Sequence, residues 1–375
     1  MIINSIYADG YKNLDCVDIR LDDKMNIFCG SNAQGKTNLI EALWLCTGCR
    51  SFRQARDRSF VGFDKEKASV RVGFSDSVRS QEISFEIKKN RVREKLVTLN
   101  GVKLPLMSRL FGALKCVVFT PDDLMLLKGA PDNRRSFMDM SASQLKLSFV
   151  SALNKYNGLL SQRNAVIKNI NLGISTAEDL DIWDKQISQT GAYISVIRNT
   201  YCRNLVEYAG RLYSDITNGK EKLEIYYMST VYGDMKDSID YDSELSELYY
   251  QKLKRSENDD IRVGYTLTGV HRDDITVKIN GLEAREFGSQ GQQRSAAVAM
   301  KLAQSCIIGR ETGETPVILL DDVLSELDDA RKTFILKSIG DVQVFITCCD
   351  EEFISDKMSC GKIFHVEGGK VNERK

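Results

Sequence analysis

Hydrophobic and polar residues alternate over the first thirty positions, with the period of two that β-strands require. Apolar residues are grouped at 2–6, 17–21, 25–29, 68–74, 83–87, 97–99 and 115–119. Asn100-Gly101 separates two of these alternating runs, which predicts a hairpin with a two-residue turn. The first third is therefore predicted to be rich in strands, with one helix beginning near Asn38.

The pattern becomes helical between residues 134 and 219. Apolar residues spaced by three and four positions follow one stripe over 149–170 and a second over 180–216. Two such stripes joined by a turn predict an antiparallel helical hairpin, with Ser175 and Glu178 spaced as a capping box between them. The stripes fit a projecting, coiled-coil-like arm and the core of an ordinary helical lobe equally well.

The last third returns to short apolar runs. Strands are predicted at 223–227, 275–279, 316–322, 342–347 and 362–366, with a helix at 290–309. Residues 234–260 are acidic and polar, and are predicted to form loop and exposed helix without chemistry of their own. Strand-rich ends that flank a helical middle predict an α/β fold.

Composition narrows the possible functions. Lys plus Arg and Asp plus Glu are both 52, so a nucleic-acid or membrane partner must be inferred from local clusters. Two histidines in 375 residues leave no multi-histidine metal centre. Neither a membrane-spanning run nor a signal peptide is visible, which predicts a cytoplasmic protein. Cys46-x-x-Cys49 lacks a second ligand pair, so the ten cysteines, including Cys348-Cys349, are expected to be reduced.

A phosphate-binding motif lies between the third predicted strand and the first helix. It matches G-x-x-x-x-G-K-[ST] and comprises Gly30, Ser31, Asn32, Ala33, Gln34, Gly35, Lys36 and Thr37. Glycines allow backbone N–H groups to curl around phosphate oxygens. Lys36 would reach the β- and γ-phosphates, and the Thr37 hydroxyl would ligate Mg²⁺. The strand–loop–helix context predicts an ATP site.

A P-loop needs a second carboxylate for magnesium, at the end of a neighbouring buried strand. Asp321 follows the apolar run 317–320 and supplies it, and Asp322 could orient or deprotonate the attacking water. Lys36 and Asp321 are 285 positions apart. Small P-loop kinases and GTPases do not usually separate these parts so far, so two distant halves are predicted to form one site around an insertion.

Two further segments indicate the class of ATPase. Ser289-x-Gly291-Gln292 opens the helix before the carboxylate strand, and Ser325-x-x-Asp328 follows that strand. They resemble the signature and the D-loop of ABC-type ATPase heads. Within that superfamily the chain is most similar to the RecF family of bacterial recombination and repair proteins, which is related to SMC heads. The resemblance is carried by residues 30–37, 41–42, 50–53, 119–123, 129–135, 271–274, 289–294 and 321–328.

The resemblance implies an ABC/SMC-type P-loop ATPase head, assembled from N- and C-terminal segments, with an inserted and mainly helical arm domain. The expected division is 1–125 for the N-terminal part of the head and 126–265 for the helical arm or lid. Residues 266–375 would form the C-terminal part, with the signature, the Walker B strand and the D-loop.

It also implies ATP and Mg²⁺ as cofactors. Ser289, Gly291 and Gln292 would contact the γ-phosphate of ATP bound to a second protomer, so ATP would hold a head-to-head homodimer together. Asp322 stands where many ABC ATPases carry glutamate, and this shorter base fits a weak ATPase that acts as a switch. The switch histidine expected after strand 342–347 is absent, with Thr347-Cys348 in its place. A Q-loop glutamine is not placed.

By the same resemblance, the ATP-bound dimer would clamp duplex or gapped DNA, and hydrolysis would release it. The role would be to assist recombinase loading at gaps with RecO- and RecR-like partners. Recombinational repair, replication restart and the SOS response are the processes implied, without a membrane partner.

Two basic clusters are candidates for DNA contacts. One contains Arg50, Arg53 and Arg56, followed by Arg58, and the other contains Lys88, Lys89 and Arg91, followed by Arg93 and Lys95. Such clusters bind phosphates without reading sequence, and each is equally compatible with a solvated charged face. No recognition-helix motif accompanies them, so sequence-specific binding is not predicted.

Two other classes share part of these motifs. A transporter ATPase subunit has the same P-loop and signature but is normally more compact between them. A P-loop kinase or nuclease-linked ATPase would have no use for the signature residues Ser289 to Gln292.

Overall fold

A computed structural model of the chain describes residues 1–53, 55, 57–89, 95–235, 240–349 and 361–374. It contains two compact units, the first formed by Met1–Leu124 with Met300–Lys375 and the second by Met125–Ala299. Residues 266–299, which the sequence-based division assigns to the C-terminal part of the head, thus belong to the second unit. The reason is strand pairing, since residues 274–279 pair with residues 223–228.

The strands are β1 (Ile2–Asp9), β2 (Val17–Arg20), β3 (Met25–Cys29), β4 (Lys67–Ser75), β5 (Ser80–Lys88), β6 (Leu96–Leu99), β7 (Val102–Leu104), β8 (Cys116–Phe119), β9 (Leu223–Ser229), β10 (Gly233–Asp234), β11 (Asp274–Ile279), β12 (Leu282–Glu283), β13 (Val317–Asp321), β14 (Val344–Cys348), β15 (Lys362–Glu367) and β16 (Lys370–Glu373). The helices are α1 (Lys36–Leu45), α2 (Pro131–Leu145), α3 (Leu147–Asn171), α4 (Asp181–Ile216), α5 (Ser243–Val263), α6 (Ala284–Phe287), α7 (Gln290–Thr312) and α8 (Asp329–Ile339).

The first unit contains an antiparallel sheet with the order β2-β1-β4-β5-β6-β7. Alternate residues of its strands are buried, as in β4, where Ala68, Val70 and Val72 point inwards. The hairpin predicted at Asn100-Gly101 is confirmed by the pairing of β6 with β7. Asn100 and Gly101 have φ values of 52° and 78°, the left-handed pair that a two-residue hairpin turn requires.

The second sheet of this unit has the order β16-β15-β3-β14-β13-β8. The five strands from β15 to β8 are parallel, and β16 joins antiparallel to β15. Every residue of β8 and β13 is buried, which explains why these strands lack alternation. In a parallel sheet the carboxyl ends of all strands lie at one edge. The ends of β3, β14 and β13 are therefore neighbours.

Helices dominate the second unit. Tyr193 donates to Ser148 over 2.9 Å near one end of the α3–α4 pair, and Arg163 contacts Asp184 over 2.6 Å near the other, so these helices are antiparallel as predicted. Their apolar stripes form a core with α5 that includes Phe149, Tyr156, Leu159, Ile187, Ile194, Tyr249 and Leu253. Within the described residues the stripes are therefore the core of a helical lobe.

The prediction for residues 234–260 was wrong in one respect. Instead of an exposed helix, α5 is amphipathic and buries Leu245, Tyr249 and Leu253, together with the acidic Asp260. The Asp260 carboxylate accepts from Arg163 over 2.7 Å, and Asp184 shares the same guanidinium. Side chains of all three are fully buried. The charge-rich composition of this segment did not indicate a buried face. A few apolar positions on one side are enough to pack a helix against a core.

The capping box is also displaced by one residue from the predicted Ser175 and Glu178. Thr176 and Asp179 form it, with the Thr176 N–H donating to Asp179 over 2.8 Å. Both pairs have the required spacing. The structure selects the second pair, whose short helix ends on Leu180, a fully buried residue.

The remaining sheet belongs to the second unit and has the order β10-β9-β11-β12. The turn predicted at Asn280-Gly281 connects β11 to β12, and both residues again have positive φ values, of 51° and 82°. Among the described residues, no helix is long and apolar enough to cross a bilayer.

Candidate nucleotide-binding site

The P-loop leaves the end of β3 and enters α1 through two glycines that cannot be replaced. A side chain on Gly30 would place its Cβ 2.2 Å from the carbonyl oxygen of Val366. Gly35 has a φ of 121°, which a residue with a side chain rarely adopts. Residues 31–33, between them, are exposed. The loop therefore offers its backbone to solvent at the amino end of α1, where helix polarity favours anions.

Lys36 lies inside the curl of the loop. Its ammonium donates to the carbonyl oxygens of Gly30 over 2.5 Å and Ser31 over 2.9 Å, and contacts the Cys349 sulfur over 3.7 Å. The side chain is buried and held by groups of the loop itself. An ammonium at this place can transfer its hydrogen bonds to phosphate oxygens.

The predicted magnesium ligands meet at the carboxyl edge of the parallel sheet. The Thr37 hydroxyl donates to Asp321 Oδ1 over 3.0 Å. Thr347, at the end of the intervening strand β14, donates to the same oxygen over 2.9 Å. Burial raises the pKa of Asp321, opposed by the hydrogen bonds from Thr347 and Thr37 and by the charge of Arg53. A buried carboxylate oxygen with a hydroxyl beside it offers the oxygen donors that suit a hard divalent cation.

Thr347 is a residue of the candidate site that the sequence did not indicate, since by resemblance it only occupies the place of the switch histidine. Besides holding Asp321, its hydroxyl accepts from the N–H of Asp322 over 2.9 Å. It thereby fixes both acidic residues. The signal that could have found it is a hydroxyl at the end of the apolar strand that separates the P-loop strand from the carboxylate strand.

Asp322 has a backbone conformation that few residues other than glycine adopt. Its φ is 53°, in the left-handed region where aspartate is tolerated. Ser325 donates to its carbonyl oxygen over 2.7 Å and lies 3.3 Å from its carboxylate. The half-buried carboxylate is thus oriented beside Asp321, as a base for an attacking water would need to be.

Asn13 and Gln34 support the loop from outside. Asn13 donates to the carbonyl oxygen of Ala33 over 3.1 Å and accepts from Asn38 over 2.6 Å, so it joins the loop to α1. The Gln34 side chain accepts from Gly368 over 2.7 Å, in the turn between β15 and β16. Asn13 lies too far from the motif in sequence to have been predicted as part of it.

The first basic cluster is attached to α1. The Arg50 side chain is exposed, and its carbonyl oxygen accepts from Trp44 over 2.8 Å. Arg53 donates to Asn38 over 3.1 Å, next to Thr37, and its charge opposes the rise that burial causes in the pKa of Asp321. The structure therefore places Arg53, predicted as a DNA contact, beside the candidate nucleotide site. Arg56 lies outside the described residues.

The second cluster belongs to the antiparallel sheet. Lys88 is exposed at the end of β5. Lys89 donates to the carbonyl oxygen of Phe63 and lies over that ring, 5.5 Å from its centroid. Arg91 lies outside the described residues. A role in DNA binding stays a prediction for both clusters.

The signature residues form the first turn of α7, in the second unit. Ser289 donates its N–H to the Gln292 side chain over 2.8 Å, and the Gln292 N–H donates to the Ser289 hydroxyl over 3.2 Å. The Gln292 amide also donates to Glu221 over 2.7 Å, a partner that the sequence did not indicate. Ser289 is exposed and Gly291 half-buried, so this reciprocal cap presents a helix amino end at the surface.

Asp328, the predicted D-loop residue, caps α8. Its carboxylate accepts from the Arg331 N–H over 2.9 Å and pairs with the Arg331 guanidinium. The hydrogen bond from Arg331 lowers the pKa of Asp328. Within one chain these contacts have a structural role.

The comparisons with known proteins cover the whole chain. Residues 2–372 match the model of the RecF/RecN/SMC N terminal domain. The chain is 37% identical over 377 residues to the DNA replication and repair protein RecF of Clostridium acetobutylicum, with 100% of both chains covered. It is 36% identical over 374 residues to that of Lachnospira eligens, with 99% of both covered.

Solved structures agree with this assignment. The structure of the recombination mediator protein RecF with ATP, in the RecFOR pathway, superposes with a TM-score of 0.91 at 34% identity, covering 100% of this chain and 98% of that one. An Smc head domain from Pyrococcus furiosus, 14% identical over 100% of this chain and 96% of its own, has a TM-score of 0.55. The predicted ABC/SMC head fold is confirmed, and the chain belongs to the RecF family of DNA replication and repair proteins.

Proposed function

We propose that this protein is an ATP-dependent DNA-binding protein of recombinational repair. ATP joins two heads into a clamp on duplex or gapped DNA, and slow hydrolysis opens it. The observation that carries the proposal is the convergence of Lys36, Thr37 and Asp321 at one edge of the parallel sheet. The full-length similarity to RecF proteins gives this site its context.

The residues at the sheet edge have separate tasks in binding ATP. Lys36 turns its ammonium from the loop carbonyls to the β- and γ-phosphates, and the backbone of the P-loop holds the remaining oxygens. Thr37 and Asp321 hold Mg²⁺, which when bound neutralises charge on the phosphates. Thr347 keeps Asp321 in place for that purpose.

Asp322 is the proposed base for hydrolysis. Ser325 and Thr347 fix its backbone, so its carboxylate can orient one water toward the γ-phosphate. Aspartate is one methylene shorter than glutamate and reaches that water less closely. A weak ATPase is therefore expected, in which hydrolysis times the release of DNA.

The signature turn is the proposed contact to the second protomer. Ser289, Gly291 and the amino end of α7 can receive the γ-phosphate of the partner's ATP, because hydroxyl and N–H groups converge there. ATP then stabilises the dimer simply because it binds two heads better than one, which is a shift of population.

DNA is held by its phosphates rather than its bases in this proposal. Lys88 and Arg50 are exposed and available for such contacts. RecO- and RecR-like mediators are the proposed partners, with recombinase loading at gaps, replication restart and SOS induction as the outcome. Similarity over the full length to DNA replication and repair proteins favours this function over a transporter subunit or a small-molecule kinase.

The proposal is tested by light scattering after size-exclusion chromatography, with and without Mg-ATP. The wild-type mass should double only with Mg-ATP. Ser289→Arg should stay monomeric because the longer cationic side chain blocks the signature turn, whereas Ser151→Arg, an exposed serine on α3, should dimerise normally.

Asp322→Asn should accumulate as dimer with Mg-ATP, because binding is retained while the base is lost. Fluorescence anisotropy with a gapped duplex then shows whether the dimer retains DNA. If the wild-type mass does not change with saturating Mg-ATP, even at the highest protein concentration used, the clamp is refuted.

A further inference from the structure

In the part of the chain that the structure describes, three cysteine thiols lie around the P-loop, and the proposed nucleotide chemistry uses none of them. Cys29 is the last residue of β3, and Cys348 is the last residue of the neighbouring strand β14. The two residues are paired in register, and their sulfur atoms are 3.1 Å apart. Cys349 follows, with its sulfur 3.0 Å from the Asn32 side chain and 3.7 Å from the Lys36 ammonium.

Their exposure differs in a way that suits a two-thiol reaction. Cys29 is 2% exposed, so it is shielded from solutes, whereas Cys348 is partly exposed. A solute oxidant can therefore reach Cys348 first, and Cys29 lies within contact distance to react with it next. The two residues share one register position of adjacent parallel strands. Neighbouring strands lie about 4.8 Å apart, which is within the Cα separation that a disulfide spans.

We propose that Cys29 and Cys348 are a peroxide-sensitive thiol pair that controls the nucleotide site. The Cys348 thiolate attacks hydrogen peroxide, so an S–O bond forms, the O–O bond breaks and hydroxide leaves. Cys29 then attacks the sulfenic sulfur, forming the S–S bond and releasing water with its own proton. The hydroxide takes up the proton that the Cys348 thiol lost on ionising, so two thiols are oxidised while one peroxide is reduced to two waters. A dithiol reverses the change.

The effect on ATP affinity follows from the position of the Cys29–Cys348 disulfide. This effect rests on the proposed ATP binding. The bond ties the residue before Gly30 to the residue before Cys349. Gly30 and Cys349 both contact the Lys36 ammonium. The disulfide thus holds both segments in the arrangement that keeps Lys36 turned to the loop. Loss of one charge-assisted hydrogen bond to phosphate, worth ~1.5–3 kcal/mol, corresponds to about tenfold weaker binding or more.

The bond itself is tested without nucleotide. Cys349→Ser protein is treated with hydrogen peroxide, and its tryptic peptides are analysed by mass spectrometry without reduction. The expected product joins the peptide containing Cys29 to the one containing Cys348 and is two hydrogens lighter than their sum. Cys306→Ser, which removes an exposed thiol on α7, should leave the cross-link unchanged. Absence of this cross-link overturns the inference.

Binding of a fluorescent ATP analogue to reduced and oxidised protein tests the consequence. Oxidation should weaken wild-type binding about tenfold, with recovery in dithiothreitol. Cys29→Ser and Cys348→Ser should each make ATP-analogue binding insensitive to oxidation. If Cys29→Ser fails to fold because that residue is buried, Cys348→Ser still provides the test. If reduced protein fails to bind the analogue, the proposed function is refuted and the cross-link stands. If binding is intact but unaffected by a formed cross-link, the control of ATP binding is refuted.

Discussion

The hydroxyl of Thr37 donates to the carboxylate of Asp321 over 3.0 Å, although 284 positions separate the two residues in sequence. Thr347, from a third part of the chain, donates to the same oxygen. Three segments thus converge on one carboxylate, and the strand order β3-β14-β13 brings them together. This cluster of oxygen atoms, the proposed donor set for Mg²⁺, therefore exists only in the folded chain.

Thr347→Val should lower the rate of Mg²⁺-dependent ATP hydrolysis. The substitution preserves shape and removes the hydroxyl that contacts Asp321 and Asp322. A buried group left without its partner costs ~1–3 kcal/mol, so a reduction of about tenfold is expected, measured by phosphate release against magnesium concentration. Thr347→Ser retains the hydroxyl and should remain near wild type. Equal activity of both variants would show that Thr347 is only a packing residue.

Asp321→Asn should raise the melting temperature of the protein at neutral pH without magnesium. Burial raises the pKa of this carboxyl, so the folded state binds the proton more tightly than the unfolded chain. Its contribution to stability is complete below the pKa of the unfolded carboxyl and is lost as pH rises through the folded pKa. The variant cannot ionise and avoids that loss.

The advantage of Asp321→Asn should disappear in acid, where the wild-type carboxyl is protonated in both states, and magnesium should no longer stabilise the variant. Melting curves against pH with a chelator, and then with magnesium, measure both effects. Asp341→Asn, at a fully exposed carboxylate, is the matched control. It should change neither the pH dependence of the melting temperature nor the stabilisation by magnesium. An Asp321→Asn curve parallel to that of wild type at all pH values contradicts the prediction.

Glu221→Ala should weaken ATP-dependent dimerisation while leaving nucleotide binding by the monomer intact. Glu221 accepts from the signature residue Gln292 over 2.7 Å and from Tyr213 over 2.5 Å. Loss of a charge-assisted hydrogen bond costs ~1.5–3 kcal/mol, so the dimer dissociation constant should rise about tenfold. Sedimentation velocity with Mg-ATP measures it. Glu207→Ala, on the exposed face of α4, should leave dimerisation unchanged.

Arg163→Ala should strongly destabilise the helical lobe. It leaves the carboxylates of Asp184 and Asp260 buried without their shared guanidinium, which costs about 3–5 kcal/mol. Urea unfolding in a Trp44→Phe background isolates the signal of Trp183, because the chain has two tryptophans and only Trp183 lies in the second unit.

The control for Arg163 is Arg211→Ala on the same pair of helices. Arg211 forms an exposed ion pair with Glu207 four residues earlier, and such pairs contribute about 0.3–0.5 kcal/mol. The two urea midpoints should therefore differ clearly. Equal urea midpoints for the two variants would mean that the buried ion pairs of Arg163 contribute no more to the free energy of unfolding than the exposed pair of Arg211.

Lys88→Ala should reduce the salt dependence of DNA binding. Removal of one cation from a DNA phosphate decreases the steepness of log K against log salt by about 0.9. Anisotropy titrations of Mg-ATP-bound protein on one duplex at several salt concentrations measure the slope. Lys252→Ala, an exposed lysine on α5, should leave the slope unchanged. A wild-type slope for Lys88→Ala would assign this lysine to a solvated face.

Local chemistry is what the sequence determined by itself. The P-loop, the strands that flank it and the turns at Asn100-Gly101 and Asn280-Gly281 depend on backbone preferences within a few residues. Those interactions are the same wherever the segment lies in the fold. The capping box shows the limit of this reasoning, because two overlapping pairs met the same rule and the structure contains the second, Thr176 with Asp179.

Partners distant in sequence were decided only by the tertiary structure. Thr347 with Asp321, Glu221 with Gln292, and Arg163 with Asp260 are joined by strand order and helix packing. In the sequence, Arg53 is one cation of a basic cluster, and only the folded structure shows that it contacts Asn38. The chemical groups of a side chain determine which hydrogen bonds it can make, whereas the fold determines which partner lies within about 3 Å of it. The sequence therefore determined the chemistry of the nucleotide site, and the tertiary structure decided which side chains hold it in position.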